Sequence, residues 1–197
     1  MTFALGLTGS IGMGKSTTAK LFAEAGCAVW DADAAVHRLY QPGGAAVAPI
    51  GALFPAATSA GLVDRSILKD LISSDSSILP RIERIVHPLV QADRNAFRAA
   101  AEAEILVFDV PLLFETGGEK EMDAVACVYV DEATQRERVL ARGTMSETQF
   151  DQIRAKQMPI AEKLAKSDYR IETNSLDHAR EQVAEVLADI RRRLAHA

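Results

Sequence analysis

Nine consecutive residues carry the clearest chemistry in this chain. Gly9-Ser10-Ile11-Gly12-Met13-Gly14-Lys15-Ser16-Thr17 follows the pattern G-x-x-x-x-G-K-S. The apolar run Phe3 to Leu7 precedes it and reads as a buried strand. Ser16 to Ala25 reads as a helix, with Ala19, Leu21, Phe22 and Ala25 available for packing and Gly26 as its stop. A glycine-rich turn between a strand and a helix N-terminus aims backbone N–H groups and positive helix potential at one point, where an anion binds. Lys15 adds a flexible positive charge for β- and γ-phosphates. Ser16 offers a hydroxyl to Mg2+, and Thr17 reaches the α-phosphate. The chemistry implied is binding of ATP with Mg2+.

Asp109 ends a second apolar strand, Ile105 to Phe108, and suits the carboxylate that holds hydrated Mg2+ in such sites; a surface turn residue is the other reading. The segment Pro111-Leu112-Leu113-Phe114-Glu115 follows, either as the apolar wall of a pocket or as plain core packing. Asp31 and Asp33 come after the strand Ala28 to Trp30. In a parallel sheet the carboxyl ends of the strands share one rim, so either carboxylate is placed to take a proton from an acceptor hydroxyl. Capping of the helix Ala34 to Tyr40 explains the same spacing equally well. His87 precedes Pro88 in a helical stretch, Leu79 to Ala103, that the proline is expected to interrupt. Arg138 and Arg142 share a helix face and, with Arg136, suit either a phosphate or adenine clamp or a solvated surface.

The elements that must position these residues alternate. Strands at Val125 to Val130 and Tyr169 to Ile171 complete a set separated by helical patterns, which argues for a parallel sheet covered on both faces. The expected fold class is α/β, a P-loop NTPase three-layer sandwich with parallel sheet, a helical acceptor-binding region and a lid. Met145 to Lys166 reads as that lid, two polar helical pieces divided by Pro159, whose closure would exclude water. Gln41 to Asp64, rich in Gly, Pro and Ala, reads as loop with one short helical turn. The last helix carries Val183, Val186, Leu187, Ile190 and Leu194 at helical spacing, and Arg191 to Arg193 form its solvated end.

Bulk properties bound the function. The 197 residues carry a net charge of −5 and are 48% hydrophobic, which suits one domain with a sizeable core and argues against nonspecific nucleic-acid binding. Cys27 and Cys127 sit in apolar contexts without metal spacing and read as buried thiols. No charged leader precedes an apolar stretch, and no run approaches the ~20 residues that span a bilayer. The chain is expected to be cytoplasmic, without a membrane or nucleic-acid partner, as a monomer or weak homo-oligomer.

Taken together, these segments resemble the dephospho-coenzyme A kinase family. The resemblance runs through Gly6-Leu7-Thr8-Gly9 and the loop to Thr17, Asp31-Ala32-Asp33, His87-Pro88, Asp109 to Glu115, and Arg138 with Arg142, in family order over nearly the whole chain. It implies transfer of the ATP γ-phosphate to the ribose 3′-hydroxyl of dephospho-coenzyme A. It implies one kinase domain over residues 1–197, with a helical acceptor region at about 34–103 and a lid at about 143–167. It makes Asp33 the base, with Lys15 and Arg142 also catalytic. The nucleotide falls to Gly9, Gly12, Met13, Gly14, Lys15, Ser16, Thr17, Arg138 and Arg142, and the metal to Ser16 and Asp109. The acceptor falls to Thr8, Asp33, His87, Pro111, Leu112, Leu113 and Phe114. Ser10 and Met13 stand where the family commonly has glycine and serine. Ile171 to Leu176 lacks the glycine of a family turn that approaches adenine, so Asn174 receives no role. A kinase of another small acceptor, such as a nucleotide or shikimate, and a nucleotide-dependent switch are the alternatives; no Asn-Lys-x-Asp guanine signature supports a GTPase.

Overall fold

The computed structural model describes residues 2–196. In chain order, β1 (Phe3–Thr8), α1 (Lys15–Glu24) and β2 (Ala28–Asp31) are followed by α2 (Ala32–Tyr40), α3 (Val47–Leu53), β3 (Thr58–Ser59), β4 (Leu62–Val63), α4 (Arg65–Ser74) and α5 (Ile78–Ala100). The second half contains β5 (Ile105–Asp109), β6 (Ala124–Tyr129), α6 (Glu132–Ala141), α7 (Glu147–Lys156), α8 (Ile160–Lys166), β7 (Tyr169–Glu172) and α9 (Leu176–Ala195). The chain forms two compact units, one of residues 1–30 with 101–197 and one of residues 31–100.

The first unit holds a five-stranded sheet in the order β2-β5-β1-β6-β7. β1 lies between β5 and β6 and runs parallel to both, with Leu7 opposite Asp109 on one side and Ala126 on the other; β6 and β7 are also parallel. Helices cover both faces of a parallel sheet, so its central strands are buried on each side. All six residues of β1 and all five of β5 are buried accordingly. One face packs Leu5, Leu7, Val107 and Val128 with Phe22 of α1 and Leu187 and Ile190 of α9. The α/β parallel-sheet class expected from the alternating pattern is the observed one.

Local chemistry sets the helix boundaries. Asp31, Asp131, Ser146 and Ser175 cap α2, α6, α7 and α9 through side-chain oxygens that accept backbone N–H bonds. Gly26 ends the first helical segment at φ 90°, the left-handed conformation that glycine adopts without a Cβ clash. Both cysteines are buried and free, and burial pushes each thiol up to about 11.

The second unit departs from the sequence reading in two places. Gln41 to Asp64 is more ordered than a loop: it contains α3, a 3₁₀ turn at Pro55–Ala57 and the antiparallel β3–β4 hairpin. Ile50, Phe54, Ala57 and Val63 bury there against Leu39, Leu68 and Ile82. α5 also runs without interruption through Pro88. A proline inside a helix removes one backbone donor at a cost of ~3 kcal/mol, and the apolar face of α5, with Ile78, Ile82 and Val86 buried, offsets it.

Candidate active site

The phosphate loop spans the gap between β1 and α1, and its glycines are required by shape. A Cβ on Gly9 would lie 2.4 Å from Val128 Cγ2 and 2.9 Å from the Val128 carbonyl oxygen, so only glycine lets the loop lie on β6. Gly14 is the N-cap of α1 at φ 85°, and a Cβ there would press on the Thr173 side chain at 3.0 Å. Met13 departs from the family pattern but keeps the loop intact. It is 2% exposed and packs in the core cluster. Ser16 and Thr17 are exposed in the first turn of α1, whereas Ser10 is buried.

Lys15 and Asp109 meet at the mouth of this loop. The Lys15 Nζ donates to Asp109 Oδ1, and Asp109 is 1% exposed. The sheet produces this meeting, because β5 is the neighbour of β1 and Asp109 is in register with Leu7. The chain beyond Asp109 stays against β1. Val110 N–H donates to the Leu7 carbonyl at 3.0 Å, and Thr8 Oγ1 donates to the Pro111 carbonyl at 3.2 Å. Within Pro111 to Phe114 the side chains divide. Leu113 is fully buried and would clash with any Cβ at Gly6, so it packs the core. Leu112 is 41% exposed, and Pro111 and Phe114 are half-buried.

Arg138 and Arg142 border one cavity of about 220 Å3 together with Gly12, Gly14, Thr17 and Thr173. Arg142 is the exposed C-cap of α6. Arg138 is committed to the turn after β7: Nη1 donates to Thr173 Oγ1 at 3.2 Å and Nη2 to the Thr173 carbonyl at 2.7 Å. Thr173 Oγ1 in turn donates to the Met13 carbonyl at 2.9 Å. Arg136 turns away, pairing with Glu147 and Asp151 of α7.

The polar segment after α6 forms α7 and α8, with Pro159 between them as its N-cap. Its inner end touches the phosphate loop: Ile11 N–H donates to Gln157 Oε1 at 3.1 Å, while Gln135 Nε2 donates to the Ile11 carbonyl at 2.7 Å. A second cavity, of about 560 Å3, opens beside these contacts between Ser10, Met13, Gln135, Arg154, Gln157 and Pro159.

In the second unit, Asp31 and Asp33 have different surroundings. Asp31 is the N-cap of α2, its Oδ1 accepting from Ala34 N–H at 2.9 Å. Asp33 lies in the first turn, exposed, and is not the cap. His87 is exposed on α5.

Three contributors to the first unit's site escaped the sequence reading. Thr173 and Gln157 bind the loop from 160 and 146 residues away, and Lys163 is fully buried inside a segment read as polar lid. No short-range pattern marks them. The departure of Ile171 to Leu176 from the family turn drew attention to Asn174, one residue from the hydroxyl that holds the loop.

A parallel sheet with its phosphate loop after the first strand, and a carboxylate ending the adjacent strand beside the loop lysine, defines the P-loop nucleotide-binding class. The dephospho-CoA kinase family model matches residues 3–178. A dephospho-CoA kinase of Ruegeria pomeroyi is 63% identical over 197 residues, covering 100% of both chains. The chain belongs to the dephospho-CoA kinase family. A Thermus thermophilus protein of solved structure superposes with a TM-score of 0.86 at 31% identity, over 95% of this chain and 97% of that one. A dephospho-CoA kinase from Campylobacter jejuni shares the fold, with a TM-score of 0.70 at 24% identity over 96% and 98% of the two chains.

Proposed function

We propose that the phosphate loop, Lys15 and Asp109 form the phosphoryl-transfer end of an ATP-dependent kinase whose acceptor is the ribose 3′-hydroxyl of dephospho-coenzyme A. The products are coenzyme A and ADP, the last step of coenzyme A synthesis. The observation that carries this reading is the meeting of Lys15 and Asp109 at the loop mouth in a chain of this family. Neither another small acceptor nor a switch is favoured over it.

The loop amides and the α1 N-terminus bind the phosphates. Lys15 exchanges its contact with Asp109 for the β/γ oxygens. Arg142 adds positive charge, and Arg138 holds the turn that shapes the nucleotide cavity. Asp33 orients the acceptor hydroxyl and takes its proton as the new oxygen–phosphorus bond forms and the bond to the β-phosphate oxygen breaks. His87 and the Thr8 and Pro111 to Phe114 segment line the acceptor side, Leu113 by supporting the others from the core. Positioning and charge stabilisation carry most of the rate.

The donor set fits Mg2+. Ser16 and Asp109 offer hard oxygen ligands, and among the described residues no group of three or more His, Cys, Asp or Glu is gathered as a metal cage. Mg2+ is commonly held by one or two protein ligands with phosphate oxygens and waters completing the shell. When bound, it neutralises charge on the transferring phosphate.

Residues 34–103 serve the acceptor and 143–167 close as a lid. The protein works in the cytoplasm as a monomer or weak homo-oligomer; among the described residues no helix is long and apolar enough to cross a membrane. A panel of acceptors assayed with ATP and Mg2+ tests the reading. Dephospho-coenzyme A is expected to be the preferred acceptor. Preferred phosphorylation of a nucleotide or shikimate, or ADP formation with no phosphorylated acceptor, would overturn it.

A further inference from the structure

Among the described residues of the first unit, Lys163 is the most deeply buried charged side chain, with a side-chain exposure of 0%. Its Nζ lies 2.9 Å from Glu115 Oε1 and donates to the Pro111 carbonyl at 3.0 Å. The same Glu115 oxygen accepts from Met158 N–H at 2.8 Å. The pair therefore grips both sides of Pro159, the break between α7 and α8, and fastens it to the two ends of the Pro111 to Glu115 segment. Pro111 is also held by Thr8 at the end of β1. One residue before Met158, Gln157 accepts from the phosphate loop at Ile11.

Stability alone is a poor reason for this arrangement. Taking the Lys163 ammonium fully out of water, against a Glu115 side chain that is 18% exposed, carries a desolvation cost, and an apolar pair of similar volume is often equally stable or better. What the ion pair supplies is a fixed geometry, two hydrogen bonds per partner in set directions. Burial pushes the Glu115 carboxyl up, but the hydrogen bonds from Lys163 and Met158 outweigh it and hold the group below its ordinary range, so the carboxylate stays charged at neutral pH.

We propose that Lys163 and Glu115 are positioning residues for the acceptor: they form the foot of the lid and set its place relative to the Pro111 to Phe114 wall. This rests on the assignment of that wall to dephospho-coenzyme A. Loss of the pair should loosen the wall and the lid foot together, while the phosphate loop keeps its ATP.

The test uses the full chain and two variants. Glu115→Gln keeps the shape and an oxygen that accepts hydrogen bonds, and removes the negative charge that faces Lys163. Lys163→Met with Glu115→Leu removes both charges and guards against a variant that fails to fold. In each, KM for dephospho-coenzyme A should rise about tenfold with KM for ATP within about twofold, since a remote positioning contact acts on one substrate's binding. ADP formation without acceptor should also rise, because a loosely seated lid admits water. The double variant should melt at or above the parent temperature and still show the acceptor defect. Recovery of parent KM together with parent melting in the double variant would make the pair structural only and overturn the proposal, as would equal rises in both KM values. Failure of the functional reading is distinguishable. If the parent does not phosphorylate dephospho-coenzyme A, hydrogen exchange of free Glu115→Gln still decides whether the pair is the foot: amides of 110–116 and 157–166 must exchange faster together than in the parent, and loosening of one segment alone overturns it.

Discussion

Thr173→Val removes one hydroxyl and little else, and the surroundings of that hydroxyl set the expected effect. Thr173 is 7% exposed. Its Oγ1 donates to the Met13 carbonyl and accepts from Arg138 Nη1. Valine fills the same space against Gly14 but leaves the Met13 carbonyl without this donor, inside a residue that is 2% exposed. Arg138 loses less, since its stronger bond goes to the Thr173 backbone. One buried acceptor left unsatisfied costs about 1–3 kcal/mol. At about 2–4 °C per kcal/mol for a chain of this size, the melting temperature should fall by about 2–12 °C. The functional loss should be specific, because Met13 and Gly14 belong to the phosphate loop. A loop shifted by a fraction of an ångström should raise KM for ATP about tenfold and leave KM for dephospho-coenzyme A within about twofold. Thr173→Ser keeps the hydroxyl and should behave almost as the parent. The assays are a thermal melt and initial rates with each substrate varied in turn. An unchanged melt and ATP KM in Thr173→Val, or equal damage in Thr173→Ser, would refute the reasoning.

Three further outcomes are expected. Lys15→Ala should lower turnover by ~10²–10³, the scale of losing one charge-stabilising donor; near-normal turnover in folded protein would remove Lys15 from the mechanism. Asp33→Asn should lower turnover by roughly 10²–10⁴ while ATP binding and the melt stay close to parent, whereas Asp31→Asn should be mild, because Asn caps a helix almost as well as Asp; the reverse ranking would sink the base assignment. Met145 to Lys166 should exchange amide hydrogen faster in the free protein than with ATP and acceptor bound, and equal protection would count against a closing lid.

The phosphate loop was legible because its chemistry is local: strand, glycines, lysine and helix start lie within fifteen residues or so, and each residue type has one physical job there. The sheet was legible for a similar reason, since strands buried on both faces must be apolar throughout. Asp31 and Asp33 were separable only in structure, because two acidic residues two apart both suit a helix start and only backbone geometry selects the cap. Gln41 to Asp64 hid its elements in small residues. α3 turns inward on Ile50 alone among its buried positions, and one large side chain shows no period. Lys163 was hidden for the opposite reason: a lysine at helical spacing among charges looks solvated, and only its position over Pro111 and Glu115 buries it. Arg138 was assigned to the nucleotide by family position. Its bonds to Thr173 add a role that no spacing rule carries, since the partners are 35 residues apart.

The proposed lid is attached in two physically different ways, and the difference decides where it can open. Toward α6, α7 is tied by Arg136 to Glu147 and Asp151 and by Arg154 to Glu132. These side chains are 31–70% exposed, so each pair is worth little and is screened by salt. Phe150 is fully buried beneath the two arginines, at 5.4 and 5.6 Å from its ring centre, and gives this end its apolar anchor. At the other end, the fully buried Lys163 pairs with the partly exposed Glu115, with directional bonds to the Pro111 segment and to Met158. Opening the first attachment exposes one aromatic ring and some already hydrated charges. Opening the second breaks directional hydrogen bonds at once, from Lys163 to Glu115 and the Pro111 carbonyl and from Met158 to Glu115. If Met145 to Lys166 closes as proposed, the larger motion belongs to α7, and the segment around Pro159 is the firmer foot. The bond from Ile11 to Gln157 lies beside that foot, so the phosphate loop is joined to the firmer end of the proposed lid.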